Sequence, residues 1–310
     1  MSQESGYDLI GDIHGHAEQL IALLKKLGYS KGETGFQHAQ RKVIFVGDFI
    51  DRGEHLRQHR QLLEIVMTMV ENGHALAVMG NHEFNALAFH TTHNGNPLRP
   101  HSQKNIDQHQ AFLNEFADDD ELKLQILDFF YQLPLWLDLG ELRVIHACWD
   151  PSYIEGLSKY LTEDNLLTPE TLIDASTKGS YAYAAIERLL KGFEIELPQG
   201  YTFTDKSGHE RKETRIQWWN QNAKNLGEIV LPHGLDIGAA ATMDLPPKIP
   251  FYNNEAPPCF IGHYWMKGTP KLLTDNVACL DYSVALGGSL VAYRWSGETV
   301  LSADNFVCSK

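Results

Sequence analysis

Apolar and polar residues alternate along this chain in blocks, and the blocks predict strands and helices in turn. Short apolar runs of the kind that form buried strands lie at residues 7–10, 43–46, 75–79, 135–139, 143–147, 260–262, 277–281 and 289–295. Apolar residues at helical spacing lie at residues 17–27, 56–70 and 122–131, and a short helix is expected after Gly80. Because the two patterns follow each other along the chain, the sequence predicts an α/β layered fold.

One region interrupts this alternation. Residues 91–110 are polar and include Pro97 and Pro100, so we predict a loop insertion there. The acidic residues 118–121 stand just before the helix at 122–131, where negative charge suits a helix N-terminus. The histidines in and beside this insertion are predicted to be ordinary core or surface residues: His90, His93, His101 and His109.

Three polar blocks follow the first three predicted strands. They are Gly11-Asp-Ile-His-Gly15, Gly47-Asp-Phe-Ile-Asp-Arg-Gly53 and Gly80-Asn-His-Glu83. Short glycine-rich turns at the ends of buried strands let carboxylate, imidazole and amide groups converge on cations. Asp12 and His14, two positions apart on an extended turn, point to the same side and can bind one ion. Since divalent cations generate hydroxide at neutral pH, the blocks predict a two-metal hydrolase.

In order and content these blocks resemble the calcineurin-like metallophosphoesterases, in the branch of PPP-type protein phosphatases and bacterial bis(5'-nucleosyl)-tetraphosphatases. The tetraphosphatase group is also similar at Lys26-Leu-Gly-Tyr29, at Gln40–Asp48, at Cys279-Leu-Asp-Tyr-Ser283 and at Gly287–Arg294. The resemblance covers about residues 7–89, 135–150 and 259–296. It implies one α/β domain over residues 1–310, a four-layer α/β/β/α sandwich in which helices flank two mixed β-sheets. Residues 90–130 and 151–250 would be insertions, the second a cap that selects the substrate.

The resemblance also implies a ligand set for two divalent cations. The implied ligands are Asp12, His14, Asp48, Asn81, His146 and His263, with Asp48 as the bridging carboxylate. His146 and His263 each stand at the end of a predicted strand. Manganese is the first expectation, and iron, zinc, cobalt and nickel are alternatives, because mixed nitrogen and oxygen ligands admit all of them.

Three further residues receive roles from the resemblance. His82 would be the general acid that protonates the leaving group, and Asp51 would orient it. Arg52 would contact the phosphoryl oxygens, because its planar, permanently charged fork matches them. A second phosphate-binding arginine is expected, and Arg211 and Arg215 are the candidates. Glu83 is expected to be only a charge at a helix N-terminus.

Two departures from the family pattern stand out. Many metallophosphoesterases end with a GHxH block, whereas this chain has Gly262-His-Tyr-Trp265, with tryptophan where the second histidine would stand. The PPP-type branch shares that loss. The other departure is the size of the 151–250 insertion, whose aromatic residues could stack on a substrate ring or form a small core of their own.

Composition narrows the choice of partner. The formal net charge of −14 argues against a nucleic-acid polymer, since such binding relies on Lys and Arg. It does not argue against an anionic small molecule, because cations can reverse the field inside one cleft.

The sequence lacks a membrane-length apolar run and an N-terminal signal pattern, so a cytoplasmic location without membrane contact is expected. The four cysteines form no CxxC pair, which predicts buried thiols. Oligomeric state stays open.

The leading interpretation is therefore hydrolysis of phosphate esters or anhydrides by direct attack of hydroxide held by two metals. The substrate would be a dinucleoside polyphosphate or another small phosphorylated molecule. The alternative is a protein phosphatase of the bacterial PPP type, acting on phosphoserine, phosphothreonine or phosphotyrosine. A third class, an inactive binding protein on this fold, is disfavoured because the implied ligands and the His82–Asp51 pair are intact.

Overall fold

In the computed structural model, residues 6–52, 56–204, 208–247 and 249–310 are described, and Gly53 of the second polar block lies outside these ranges. Their strands are β1 (Gly6–Ile10), β2 (Ser30–Gly32), β3 (Gly35–Gln37), β4 (Arg41–Phe45), β5 (Ala75–Ala77), β6 (Thr92–His93), β7 (Asn96–Pro97), β8 (Trp136–Asp138), β9 (Arg143–Ile145), β10 (Glu194–Glu196), β11 (Phe203–Thr204), β12 (Glu210–Arg211), β13 (Glu213–Ile216), β14 (Val230–Leu231), β15 (Cys259–Ile261), β16 (Val277–Cys279), β17 (Val291–Trp295) and β18 (Phe306–Cys308). Their helices are α1 (Ala17–Lys26), α2 (His59–Glu71), α3 (Asn81–His90), α4 (Gln103–Glu115), α5 (Asp120–Tyr131), α6 (Pro151–Ser158), α7 (Pro169–Ala175) and α8 (Tyr181–Lys191).

Two mixed sheets form the centre of the molecule. The first has the order β18-β17-β1-β4-β5, in which β1, β4 and β5 are parallel and β17 runs antiparallel to β1. The second has the order β16-β15-β9-β8, in which β15 is parallel to both of its neighbours and β8 and β9 form an antiparallel hairpin. The predicted hairpin around Gly140 is therefore confirmed.

The two sheets pack face to face through one apolar layer. Leu9, Ile44 and Val78 of the first sheet and its loops share a buried cluster with Val144 and Phe260 of the second. Alternate residues on these strands point the other way and belong to the cluster that contains the helices. The order of layers is thus helix, sheet, sheet, helix, and the predicted α/β/β/α fold is confirmed.

Helix α1 illustrates why these segments are helical. Ala17, Leu20, Leu23 and Leu24 are its buried residues, and they recur at the three- and four-residue spacing of one helix face. Glu18 lies in its first turn and Lys25 in its last, which complements the helix dipole.

The predicted loop at residues 91–110 is wrong in its second half. The short hairpin of β6 and β7 comes first, and then α4 runs from Gln103 to Glu115. The Ser102 side chain caps this helix by accepting a hydrogen bond from the Asn105 amide. The two prolines lie before the helix, so they do not interrupt it.

Residues 151–250 contain α6, α7, α8 and a small sheet of order β10-β13-β14. Trp218 and Trp219 are buried there, whereas Tyr181 is 45% exposed. Most of the tryptophan surface is therefore used in packing. Among the described residues, no helix has the length and apolar character that crossing a membrane requires.

Candidate active site

The polar blocks meet at one edge of the paired sheets. β1, β4 and β5 are parallel, and so are β9 and β15, so the residues that follow them lie at neighbouring carboxyl ends. Main-chain hydrogen bonds join the loops: His14 N donates to Asp48 O at 3.0 Å, and Gly262 N donates to His146 O at 2.9 Å. The fold therefore brings together residues far apart in sequence.

Asp48 lies at the centre of this cluster. The Nε2 atoms of His14, His82 and His146 lie 3.7, 3.9 and 3.3 Å from Asp48 Oδ2. Two groups of side chains could each hold a cation: His14 with Asp48 and His82, and Asp48 with His146 and His263. Asp48 is common to both groups, as a bridging ligand would be.

Main-chain carbonyls fix two of these imidazoles. His14 Nδ1 donates to Ile50 O at 2.9 Å, and His146 Nδ1 donates to Val46 O at 2.8 Å. Because Nδ1 of His14 carries the proton, Nε2 of that neutral ring presents a lone pair toward Asp48. Burial lowers the pKa of His14 to about 3, which keeps that ring neutral. This is the tautomer and orientation that metal-ligating histidines adopt. Burial lowers the pKa of His146, but the charge and hydrogen bond of Asp48 outweigh it and raise that pKa to about 10, which favours the charged ring.

Asn81, His263 and Asp12 complete the cluster. Asn81 Oδ1 lies 3.2 Å from His146 Nε2 and 2.8 Å from His263 Nδ1. Asp12 Oδ2 accepts a hydrogen bond from His263 N at 3.0 Å. Asp12 Oδ1 is buried and has no hydrogen-bond partner among the described residues. A buried carboxylate oxygen without a partner is costly, and a divalent cation would satisfy it.

The charges of the cluster also fit cations. Burial, followed by the charge of Asp281, raises the pKa of Asp12. Burial likewise raises the pKa of Asp281, whereas the charges of His146 and His82 outweigh burial at Asp48 and lower its pKa. Positive charge is therefore lacking at Asp12 and Asp281, not at Asp48. The donor set of carboxylate, imidazole and amide suits Mn, Fe, Zn, Co or Ni. The sequence predicts that Asp12 and His14 bind one ion; in the structure His14 groups with Asp48 and His82, and Asp12 Oδ2 accepts from the His263 amide.

His82 and Asp51 form a buried pair at the side of this cluster. His82 Nδ1 donates to Asp51 Oδ2 at 2.6 Å, and His82 N donates to Asp48 Oδ1 at 3.0 Å. Burial lowers the pKa of His82, but the charge of Asp48 and the bond to Asp51 outweigh it, and the net shift is upward. A raised pKa favours the protonated ring that a general acid requires.

Arg52 reaches the site from the same loop. Its guanidinium lies 4.0 Å above the centre of the Trp265 ring, a cation–π contact. Its Nε is buried and has no hydrogen-bond partner within the described ranges. The residue that replaces the second histidine of the GHxH pattern thus supports an arginine instead of a metal.

The two candidate arginines lie in different surroundings. Arg215 is on β13, and its Nε is 3.4 Å from Glu194 Oε1. The pKa of His263 is lowered mainly by burial and next by the charge of Arg215. Three positions after Arg215, Trp218 Nε1 donates to Tyr264 Oη and to Ala147 O, the neighbours in sequence of His263 and His146. Strand β13 therefore leads to the candidate ligand cluster. Arg211 is exposed on β12, in a two-stranded hairpin where it pairs with Phe203.

Three residues have contacts at the site that the sequence did not predict: Glu83 was expected to be only a helix charge, His109 an ordinary histidine, and Asp281 was given no role. Glu83 is fully buried, and its carboxylate accepts from the amides of Asp48, Phe49 and Gly80 at 2.8, 2.8 and 3.0 Å. Asp281 accepts from Trp265 N at 2.7 Å and from Ser283 N at 2.9 Å. His109, on α4, donates to Asp51. Glu83 belongs to the third polar block, and Asp281 belongs to the Cys279–Ser283 segment. Their location in these segments was the only sequence signal that could have marked them as part of the site.

Glu83 connects the second and third polar blocks, and removing it should destabilise the protein. Glu83→Ala leaves three buried amides without acceptors, at about 1–3 kcal/mol each before relaxation. We expect a loss of about 3–5 kcal/mol in the free energy of unfolding, measured by urea denaturation of the metal-free protein. Glu121→Ala is the control, because Glu121 lies in the first turn of α5 but is exposed. Equal, small losses in both variants would contradict the structural role of Glu83.

Backbone geometry at the site is unusual. His14, Asp48, Asp51, Arg52 and His263 have φ of 44°, 54°, 63°, 49° and 70°. This left-handed region is unfavourable for residues with a Cβ, and such strain concentrates at functional sites. Gly262 meets a different demand, because a Cβ there would lie 2.0 Å from Asp12 Oδ1. The glycine lets the strand end approach that carboxylate.

A family comparison fits this site. The model of the calcineurin-like phosphoesterase family matches residues 7–263 of the 310-residue chain. This chain belongs to that family. It is a phosphoesterase of the hydrolase class, and phosphoesterases of this family use divalent metals.

Among curated proteins, this calcineurin-like phosphoesterase is similar to bis(5'-nucleosyl)-tetraphosphatase PrpE [asymmetrical]. The protein from Bacillus velezensis is 34% identical over 146 residues, which cover 46% of this chain and 55% of that protein. The protein from Bacillus subtilis is 32% identical over 146 residues, which cover 46% of this chain and 57% of that protein. The chain thus spans about half the length of the curated relatives it matches.

Among solved structures, it is similar to a protein serine/threonine phosphatase from Saccharomyces cerevisiae that is itself similar to human phosphatase PP5. The TM-score is 0.52 at 12% identity, over 99% of this chain and 79% of that one. At this identity the likeness shows a shared fold. It agrees with the two-sheet architecture described above.

Proposed function

We propose that this calcineurin-like phosphoesterase hydrolyses phosphate esters or anhydrides of small anionic molecules with two divalent cations, and that dinucleoside polyphosphates are its first substrates to test. The observation that carries the proposal is the position of Asp48. Its carboxylate lies between two groups of buried imidazoles, and Asp12 Oδ1 nearby has no partner among the described residues. The curated relatives named as tetraphosphatases support the choice of substrate.

Six side chains would hold the cations. They are Asp12, His14, Asp48, Asn81, His146 and His263. The cations, when bound, would lower the pKa of water and neutralise charge on the phosphoryl group. Asn81 would contribute an oxygen without adding negative charge that repels the substrate. Manganese is the first metal to test, followed by iron, zinc, cobalt and nickel.

Side chains of the protein would protonate the leaving group and bind the phosphoryl oxygens. Asp51 holds His82 with Nδ1 protonated, so that Nε2 faces the cluster and can give a proton to the departing oxygen. Arg52, supported by Trp265, would bind phosphoryl oxygens with its free donors. The arrangement supports hydrolysis in one displacement, because no nucleophilic side chain is needed.

We further propose that Arg215 is the second phosphate-binding arginine and that the segment 151–250 thereby takes part in substrate selection. The charge of Arg215 acts on His263, and the segment contacts the site because Trp218 Nε1, three positions after Arg215, donates to Tyr264 Oη at 2.9 Å and to Ala147 O at 3.1 Å. This also favours Arg215 over Arg211.

Phosphate affinity should separate the arginines. Arg52→Ala and Arg215→Ala should each weaken binding of inorganic phosphate by roughly 10–100-fold, the equivalent of one charge-assisted hydrogen bond of about 1.5–3 kcal/mol. Arg211→Ala should bind phosphate as the wild type does. Isothermal titration calorimetry of the metal-loaded proteins measures this. Unchanged affinity in Arg215→Ala, or a matching loss in Arg211→Ala, would reverse the choice between them.

The substrate itself needs a direct comparison. Metal-reconstituted enzyme should be offered diadenosine tetraphosphate, mononucleotides and phosphopeptides side by side, and kcat/KM compared. We expect the highest value for the dinucleotide. A higher value for phosphopeptides would establish the protein phosphatase alternative, and turnover of none of them would contradict the proposed function.

A further inference from the structure

The Asp51 carboxylate has two imidazole partners. Its Oδ2 accepts from His82 Nδ1 at 2.6 Å, and its Oδ1 accepts from His109 Nδ1 at 2.7 Å. All three side chains are buried, with exposed fractions of 2%, 7% and 4% for Asp51, His82 and His109. Each carboxylate oxygen is thus held by its own N–H donor, which fixes the plane of the carboxylate as well as its position.

The surroundings of His109 lock its ring. The ring stacks on Phe112 with centroids 4.8 Å apart and planes 16° from parallel, and Phe89 lies 5.2 Å away on a tilted plane. His109 Nε2 lies 3.1 Å from His90 Nε2, on α3. Burial, followed by the charge of His109, lowers the pKa of His90 to about 4, so His90 is neutral at pH 7. The ring of His109 therefore has contacts on its faces and at both nitrogens.

The same helix also holds the main chain of Asp51. Glu115, the last residue of α4, accepts from His59 N at 3.0 Å and pairs with His59 Nδ1 at 3.1 Å. His59 Nε2 in turn lies 3.3 Å from Asp51 O. One helix thus controls both the side chain and the carbonyl of a residue with a left-handed φ of 63°, a conformation that needs such support.

The charges agree with this geometry. Burial raises the pKa of the Asp51 carboxyl, but the charge and hydrogen bond of His109, followed by the hydrogen bond of His82, outweigh it. The net shift of the pKa is downward, so Asp51 stays ionised. An ionised, correctly turned carboxylate is the partner that a histidine acid needs.

We propose that His109 is a positioning residue for leaving-group protonation: it holds Asp51 so that Asp51 can aim His82 at the departing oxygen. This inference rests on the proposed function, in which His82 is the acid. It assigns to the insertion at residues 91–115 a role in the chemical step, separate from substrate choice.

Two variants with equal numbers of side-chain heavy atoms test it. His109→Asn keeps an N–H donor near the position of Nδ1, and His109→Leu lacks one. His101→Leu is the control, because His101 also stacks on Phe89 but donates to Phe89 O. Phenyl phosphate has a poor leaving group, phenolate. For this substrate His109→Leu should lower kcat by roughly 10–100-fold with KM unchanged, a loss typical of removing a residue that orients an active-site group. For 4-nitrophenyl phosphate the loss should be much smaller, and His109→Asn should recover most of the rate.

A second measurement does not depend on turnover. In proton NMR of the metal-free protein, the imidazole N–H protons of His82 and His109 should resonate well downfield of the amides. His109→Leu should lose one resonance and shift the other upfield, and His109→Asn should restore its position. If His109→Leu does not fold, His109→Phe serves as the variant without a donor.

The outcomes separate the two proposals. Equal losses for both aryl phosphates in His109→Leu, or an unmoved His82 resonance, would overturn the role of His109 while leaving the phosphoesterase proposal intact. If wild-type enzyme hydrolyses neither the aryl phosphates nor any substrate of the comparison above, the proposed function fails, and the NMR result alone then decides whether His109 positions Asp51 and His82.

Discussion

Asp48→Asn is expected to lose bound metal and hydrolytic activity together. Asp48 Oδ2 lies 3.3 to 3.9 Å from the Nε2 atoms of three imidazoles, and Asp48 is shared by both candidate cation groups. Asparagine keeps the shape but removes the charge that offsets two cations. Loss of metal assistance worth several kcal/mol should lower kcat/KM by about 10³-fold or more, since each 1.36 kcal/mol is tenfold.

Metal content measured by mass spectrometry and hydrolysis of 4-nitrophenyl phosphate check this together. Asp8→Asn is the matched control, because Asp8 is also a fully buried carboxylate but bonds Arg41, Arg294 and Tyr29. That variant should lose stability and keep its metal. Wild-type enzyme in excess chelator should behave like Asp48→Asn. Full activity in chelator, or normal metal content in Asp48→Asn, would refute the role assigned to this carboxylate.

His82→Ala should separate chemistry from metal binding. The six implied ligands are untouched, so metal content should stay close to that of the wild type. Loss of a general acid should lower the rate by roughly 10²–10⁴-fold for a poor leaving group such as phenolate. The loss should shrink for 4-nitrophenolate, which leaves without a proton.

Rates for a series of aryl phosphates, plotted against the pKa of the leaving phenol, measure this directly. The slope should be steeper in His82→Ala than in the wild type. His74→Ala is the control, because His74 lies at the far end of β5 and pairs with Thr34. A parallel slope in His82→Ala would remove His82 from the protonation step. Loss of metal in this variant would instead indicate that His82 is a ligand, since it lies near His14 and Asp48.

The apolar runs predicted an α/β layered fold with the polar blocks at strand ends, and the family resemblance implied the two paired sheets. Strands such as β1 and β4 are continuous apolar runs, and the residues after parallel strands must lie side by side. Helix α4 was missed for an identifiable reason. One of its buried positions is occupied by His109, whereas an aliphatic residue there would have shown the helical pattern. The two prolines before the helix also suggested a loop.

Long-range contacts of polar side chains could not be predicted from the sequence. Glu83 was expected to be a local helix charge, yet it accepts hydrogen bonds from the amides of Asp48 and Phe49, which are 35 and 34 positions earlier. His109 and Asp51 are 58 residues apart, and only the tertiary fold shows that they meet. Arg211 and Arg215 lie close in sequence, but Arg211 is in the separate β11–β12 hairpin, whereas Arg215 is on β13, the strand that leads to Trp218 and its hydrogen bonds at the site. The strand β18 was also not predicted, because a segment of three residues has little periodicity.

The five left-handed residues of the site have a consequence for engineering. Each such residue with a side chain costs about 1–2 kcal/mol relative to the right-handed conformation, so five together approach the whole stability of an ordinary domain, about 5–15 kcal/mol. A search for heat-tolerant variants that scored folding alone would therefore favour changes such as Arg52→Gly, where glycine relieves the backbone and the buried Nε has no hydrogen-bond partner to lose among the described residues. The most stable descendants of this chain would be selected at the expense of turnover, and any directed evolution of it needs an activity screen at every round.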